Sequence, residues 1–276
     1  MIDTHCHLDV AAFDHDRDSV LARAAAAGVA GVLVPAIRPR TWPALVALAR
    51  AHRGATGRPD LRVALGVHPQ IVPELAGDEL PRDARGAVDA SALADAIARA
   101  GADLGDLALA VGECGLDGGT ADRDAQEQTL RAHVRAARAL GRPLIVHVLR
   151  AHDAAPRILR DELAGEVGGV LHSYSGGADL VPVYAALGFA FSFAGPVTYP
   201  NARRPIAAVR AVPADRLLAE TDAPDQAPAA HRGNRSEPAF VADVIAGLAA
   251  ALDQPTDELR ARTTANARRV LRWRDP

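Results

Sequence analysis

Near its start the chain reads Asp3-Thr4-His5-Cys6-His7, with two imidazoles two residues apart. On a strand that spacing turns both rings to one face. Two imidazoles side by side in a barrel interior are costly unless paired or metallated. Four more ionisable residues each follow a short apolar run: Glu113 in VGECGLD, His147 after LIV, His172 in LHSYSGG and Asp222 in AETDAP. His68, in GVHP, ends another such run. Singly, each has an ordinary explanation. Glu113 could open a loop, Asp222 could cap a turn, and His147 or His172 could bond to backbone. Together, His5, His7, Glu113, His147, His172 and Asp222 are six potential metal ligands at five strand ends.

Imidazole plus carboxylate suits zinc, manganese, iron or cobalt, whereas an all-oxygen set favours magnesium or calcium. Six donors exceed the four of one tetrahedral zinc and suit two divalent ions sharing a carboxylate. The 31 basic residues are all Arg. With no lysine to carboxylate, Glu113 is the best bridge. Paired ions about 3.5–4 Å apart generate hydroxide from water and polarise a phosphoryl or carbonyl oxygen. Asp222 would bind one ion or accept the proton of the attacking water. The expected catalytic residues are therefore Glu113 and Asp222, and the expected cofactors are two divalent ions (zinc, magnesium or manganese). Cys6 and Cys114 alternate away from their neighbours and read as packing.

Something must bring these residues together. Eight short apolar runs, at 2–6, 31–36, 62–67, 107–112, 143–148, 169–172, 189–193 and 217–220, read as strands. Helical patterns lie between them, for example at 16–27, 40–51, 91–100, 125–140, 178–187 and 202–209, and two more, near 238–252 and 256–271, follow. Alternation of buried strand and helix predicts a parallel sheet, and eight repeats predict a closed (β/α)8 TIM barrel. In that fold catalytic groups sit at the C-terminal strand ends, where the ligand candidates fall. Residues 73–87 read as a long irregular loop. His15, His52, His133, His152 and His231 fall in helices or loops beside Arg or Asp. They read as surface residues, with His152 close enough to strand 5 to touch substrate.

Length and composition agree with a barrel forming one domain over 1–276: 49% hydrophobic, 24% charged and only 4% aromatic, which predicts a core of small aliphatic side chains. A net charge of −3 provides no bulk positive field for nucleic acid, although an enzyme can grip a strand end through a local site. Two cysteines make no disulfide framework. The absence of a basic and apolar leader and of a long apolar span predicts a cytoplasmic protein away from membranes, and no obligate protein partner is evident.

Taken in order, IDTHCHLD at 2–9, LGVHP at 65–69, VGECGLD at 111–117, PLIVH at 143–147, LHSYSGG at 171–177 and LLAETDAP at 217–224 form a specific set. On these motifs the chain resembles the TatD-type metal-dependent hydrolases, within the wider amidohydrolase-like barrels. The resemblance implies His5, His7, Glu113 and Asp222 around one metal, and Glu113, His147 and His172 around the other. It implies that His68 meets the substrate. Arg150, next to Leu149, and Ser173, in the strand-6 loop, are further candidate contacts on their own position. The resemblance also implies phosphoester hydrolysis, usually 3′-to-5′ exonuclease action, on a DNA 3′ end or a small phosphoester. The chain departs from the family around the substrate. Gly118 and Gly119 stand where aromatics usually follow the GLD, Leu149 where an Arg is common, Pro200 where a Lys is usual, and Ser236 in place of Asn. These departures lean toward an alternative, a two-metal hydrolase of a small amide, ester or lactone. A non-enzymatic barrel is the third reading, and the complete ligand set argues against it.

Overall fold

The computed structural model describes residues 1–274, so the last two residues of the expected 1–276 domain lie outside the described residues. Eight parallel strands run in chain order around one sheet. They are β1 (Ile2–Asp3), β2 (Gly31–Pro35), β3 (Asp60–Leu65), β4 (Ala108–Asp117), β5 (Leu144–Leu149), β6 (Gly169–Leu171), β7 (Phe189–Phe193) and β8 (Leu217–Ala219). Helices alternate with them: α1 (Arg17–Ala26), α2 (Trp42–His52), α3 (Ala90–Asp103), α4 (Arg123–Leu140), α5 (Ala155–Asp161), α6 (Val181–Ala186), α7 (Arg203–Ala211), α8 (Val241–Leu252) and α9 (Thr256–Val270). The expected (β/α)8 barrel is the fold.

One aliphatic residue from each strand packs inside the barrel: Ile2, Leu33, Ala64, Ala110, Ile145, Val170, Ala190 and Leu218. Alanines on β3, β4 and β7 sit among larger side chains, and together they fill a narrow interior. Trp273 and Leu271, beyond α9, join this cluster. Beside them the Arg62 guanidinium, almost wholly buried, donates to Asp60 Oδ2 at 2.6 Å and lies over the Trp273 ring. The larger core fills the layer between strands and helices.

The barrel closes between its first and last strands through a short run of hydrogen bonds. Thr4 N–H donates to Ala219 O, His7 N–H to Ala223 O at 2.8 Å, and Asp222 N–H to His5 O at 2.9 Å. Cys6 and Ala223 form a parallel bridge at the same place. The expected strand at 2–6 is regular only over Ile2–Asp3, but its extension through residue 7 is the seam.

β4 differs more from expectation. It runs through Asp117, so Glu113 lies inside a strand rather than after one. The pairing of β4 with β5 shifts between Val111 and Cys114. Such a bulge re-aims a side chain, and here it directs Glu113 to the floor of the cavity. Gly115 makes the crossing possible. Its φ is +140°, and a Cβ there would fall onto the His147 carbonyl oxygen. The short α5 lies between β5 and β6, where the sequence pattern shows no helix, and residues 69–74 form a 3-10 turn that overlaps the expected loop. No helix among the described residues is long and apolar enough to cross a membrane.

Candidate metal centre

Strand ends β1, β3, β5, β6 and β8, with the interior of β4, converge on one cavity of about 600 Å³. Glu113 is fully buried at its floor. Its two carboxylate oxygens face different partners. Oε2 lies 3.1 Å from His5 Nε2 and 3.5 Å from His7 Nε2. Oε1 lies 2.8 Å from His172 Nε2, 3.0 Å from His68 Nε2 and 3.2 Å from His147 Nδ1. Asp222 Oδ1 stands on the His5/His7 side, 3.6 Å and 3.8 Å from their Nε2 atoms. All six expected ligands, and His68, are therefore brought together.

The arrangement fits cations. Both Glu113 oxygens are buried and have no hydrogen-bond donor of good geometry. Buried carboxylates are otherwise hydrogen-bonded or coordinate metal. Opposing ring nitrogens approach closely: His5 Nε2 to His7 Nε2 at 3.2 Å, and His147 Nδ1 to His172 Nε2 at 3.0 Å. The rings of His5 and His172 stack at 3.9 Å. Packing so many imidazoles around one carboxylate is reasonable when their lone pairs share cations and unfavourable when each ring takes a proton. Three donor groups are compact enough to hold an ion: His5, His7 and Asp222; His5, Glu113 and His172; and His68, Glu113 and His147.

The electrostatics follow from burial and mutual proximity. Burial, reinforced by neighbouring His5, pushes the His7 ring down to about 3, so it is neutral at pH 7. Burial opposes ionisation of Glu113, but the surrounding His172, His68 and His5 outweigh it and hold the carboxyl well below its usual range. Burial likewise opposes the charge of His172, yet the Glu113 carboxylate lifts that ring. Asp222 is raised, because burial outweighs His172 and His5.

Several outer residues set which nitrogen faces inward. Asp117 Oδ2 lies 3.4 Å from His147 Nε2, and Glu220 Oε1 lies 3.4 Å from His172 Nδ1. A proton held on those outer nitrogens leaves the inner lone pairs free for metal. Asp117 itself accepts from Gln70 Nε2 at 2.7 Å and from Gly119 N–H at 2.7 Å. Gln226 Nε2 donates to Asp222 Oδ2, while Gln226 Oε1 accepts from Ser173 Oγ at 2.9 Å. Asp3, buried and pushed up to about 8 by that burial, accepts from the N–H and hydroxyl of Thr221. Asp3, Asp117, Glu220 and Gln226 were not expected to take part. The first three stand inside the recognised motifs, but nothing in their spacing reveals these partners.

Ser173 is engaged below the mouth, its N–H on Glu220 Oε1 at 2.6 Å. Arg150 is exposed at the end of β5 and does not line the cavity. Leu149 does. Both thiols are fully buried, and burial raises them well above the ordinary range, as packing residues require. His133 is not a surface residue. It is fully buried on α4, because one ring nitrogen receives the Val67 N–H and the other meets Thr129 O. His152, half-buried, bonds to the Tyr184 hydroxyl at 2.9 Å.

The family model for TatD related DNase matches residues 2–272. The metal-dependent hydrolase YcfH of Escherichia coli is 35% identical over 277 residues, covering 98% of this chain and 95% of that protein. YabD of Bacillus subtilis, also described as a metal-dependent hydrolase, is 30% identical over 274 residues and 99% of both chains. Among solved structures, the TatD homolog YjjV of Escherichia coli superposes with a TM-score of 0.85 at 29% identity, covering 99% of this chain and 98% of its own. With that match along almost its whole length and a metal-ready centre at the mouth of its barrel, the chain belongs to the TatD family of metal-dependent hydrolases.

Proposed function

We propose that the protein hydrolyses a phosphoester bond, with two divalent cations held by His5, His7, His147, His172 and Asp222 and shared through Glu113. The observation that carries this is the Glu113 carboxylate: buried, without hydrogen-bond donors, and with each oxygen directed at a different set of imidazoles. When bound, such ions activate a water molecule and stabilise charge on the phosphoryl oxygens. The protein's own residues supply the rest. Asp222 keeps Oδ1 toward the centre while Gln226 holds Oδ2. So oriented, Asp222 is suited to take the proton from the attacking water. His68 Nδ1 accepts the Gln70 N–H at 3.1 Å, which turns Nε2 toward Glu113 and the centre. There His68 is placed to donate to a substrate oxygen. Ser173 acts through Gln226. A DNA 3′ end and a small phosphoester present the same scissile group to this centre.

Hydrolysis of bis-p-nitrophenyl phosphate by metal-stripped protein reloaded with Mn²⁺, Zn²⁺ or Mg²⁺ tests the reading, with bound metal measured in parallel. Glu113→Gln should lower both metal content and turnover, the latter by about 100-fold or more, since loss of even an outer partner of a ligand costs 10–100-fold. Undiminished turnover in that variant would rule the assignment out.

A further inference from the structure

Above the ligand floor, the mouth of the cavity is aliphatic. Val10, Ile37, Ile71, Leu149 and Pro224 line it, each half-buried with part of its surface open. They come from five separate places: beyond β1, β2 and β3, at the end of β5, and beyond β8. A single exposed aliphatic side chain is ordinary, but five from separate segments around one opening make a built apolar collar. The polar side chains at the same mouth are engaged or acidic. Gln70 is held by Asp117, Gln226 bridges Ser173 and Asp222, and the Asp225 side chain is an exposed acid. A nucleic-acid strand is gripped by cations at its phosphates and by aromatic faces beneath its bases. This mouth presents aliphatic surface and a carboxylate. A volume of about 600 Å³ lies within the range of sites that enclose small molecules.

We propose that the site takes a compact phosphoester bearing an apolar alkyl or aryl group, with the phosphoryl end on the ligand floor and the apolar group against Ile71, Leu149 and their neighbours. This rests on the phosphoester reading above.

Methyl-, butyl- and hexylphosphonate cannot be hydrolysed and report the collar without turnover. Their binding to Mn²⁺-reloaded full-length protein, followed by calorimetry, should tighten about 10- to 60-fold from methyl to butyl, because a fully buried methylene is worth about fourfold. Octathymidylate should bind more weakly than hexylphosphonate. Ile71→Asn and Leu149→Asn should each flatten the series while leaving metal content and melting temperature unchanged. A flat series in the parent protein, or tighter binding of octathymidylate than of hexylphosphonate, would overturn the collar. Turnover of hexyl p-nitrophenyl phosphate separates the two ideas. A steep series without turnover overturns the phosphoester reading and leaves the collar standing; turnover with a flat series overturns the collar alone.

Discussion

Gln226 shows how closely the proposed ligand shell is supervised. One of its amide atoms fixes Asp222 Oδ2 and the other is fixed by Ser173. Asp222, Gln226 and Ser173 all hold positive φ, near +52°, +52° and +40°. Such conformations persist in non-glycine residues only where surrounding contacts enforce them. Gln226→Leu keeps the bulk and removes both bonds, so Asp222 should lose its orientation. Metal affinity and kcat should each fall about 10- to 100-fold while the melting temperature of the metal-free protein barely moves. A metal titration beside a melt separates this from a folding defect, and an unaltered affinity would sink the positioning role. At this scale the sequence is legible where residue type alone limits the options. Two histidines on one strand face, and carboxylates after apolar runs, announce metal. Asp117, Glu220 and Gln226 stay silent, because their roles depend on which ring nitrogen or carboxylate oxygen lies across the cavity.

Among the elements, periodicity revealed the eight strands and most helices, because each buries an aliphatic face. It misplaced Glu113, since an apolar run cannot show that β4 continues through a glycine-flanked bulge. It left out α5, whose seven residues begin Ala-Pro and are too few to display a helical period. It also misjudged His133 on α4, which sits between charged neighbours in sequence but inward in space. There Val67 N–H donates to Nε2 at 2.9 Å, so Nδ1 carries the proton toward Thr129 O. Burial lowers this ring from 6.5 to about 4. The unfolded chain therefore binds a proton below pH 6.5 that the folded chain refuses until about pH 4. Stability from His133 is present above pH 6.5 and drains as pH falls through that window, by about 3 kcal/mol in all. In urea unfolding from pH 7 to 4.5, His133→Gln should start less stable than the parent and close the gap by about 2 kcal/mol or more. Parallel pH profiles would contradict this account.

For the whole molecule, the seam between β1 and β8 and the proposed metal centre are one place. His5 and His7 lie on one side of it and Asp222 on the other, laced by the bonds from Asp222 N–H to His5 O and from His7 N–H to Ala223 O. A cation bound there joins the two edges of the sheet and favours the closed state by mass action. At free metal 100-fold above Kd the gain is about 2.7 kcal/mol, or roughly 5 °C or more in Tm for a chain of this size. Thermal melts with Zn²⁺ or Mn²⁺ against a chelator should show it; coincident melts would argue that no cation spans the seam. The barrel itself could be anticipated, because it needs only the count and order of strands. Its closing bonds could not: Asp3 and Thr221 stand 218 positions apart. That separation has a further consequence for a growing polypeptide. The histidine pair emerges early and Glu113 midway, but Asp222 arrives only after the eighth strand has been laid down, so an incomplete chain offers scarce metal no more than a fragment of the site. Bound as proposed, the ion would inspect finished assembly, rewarding only molecules whose first and last strands have met.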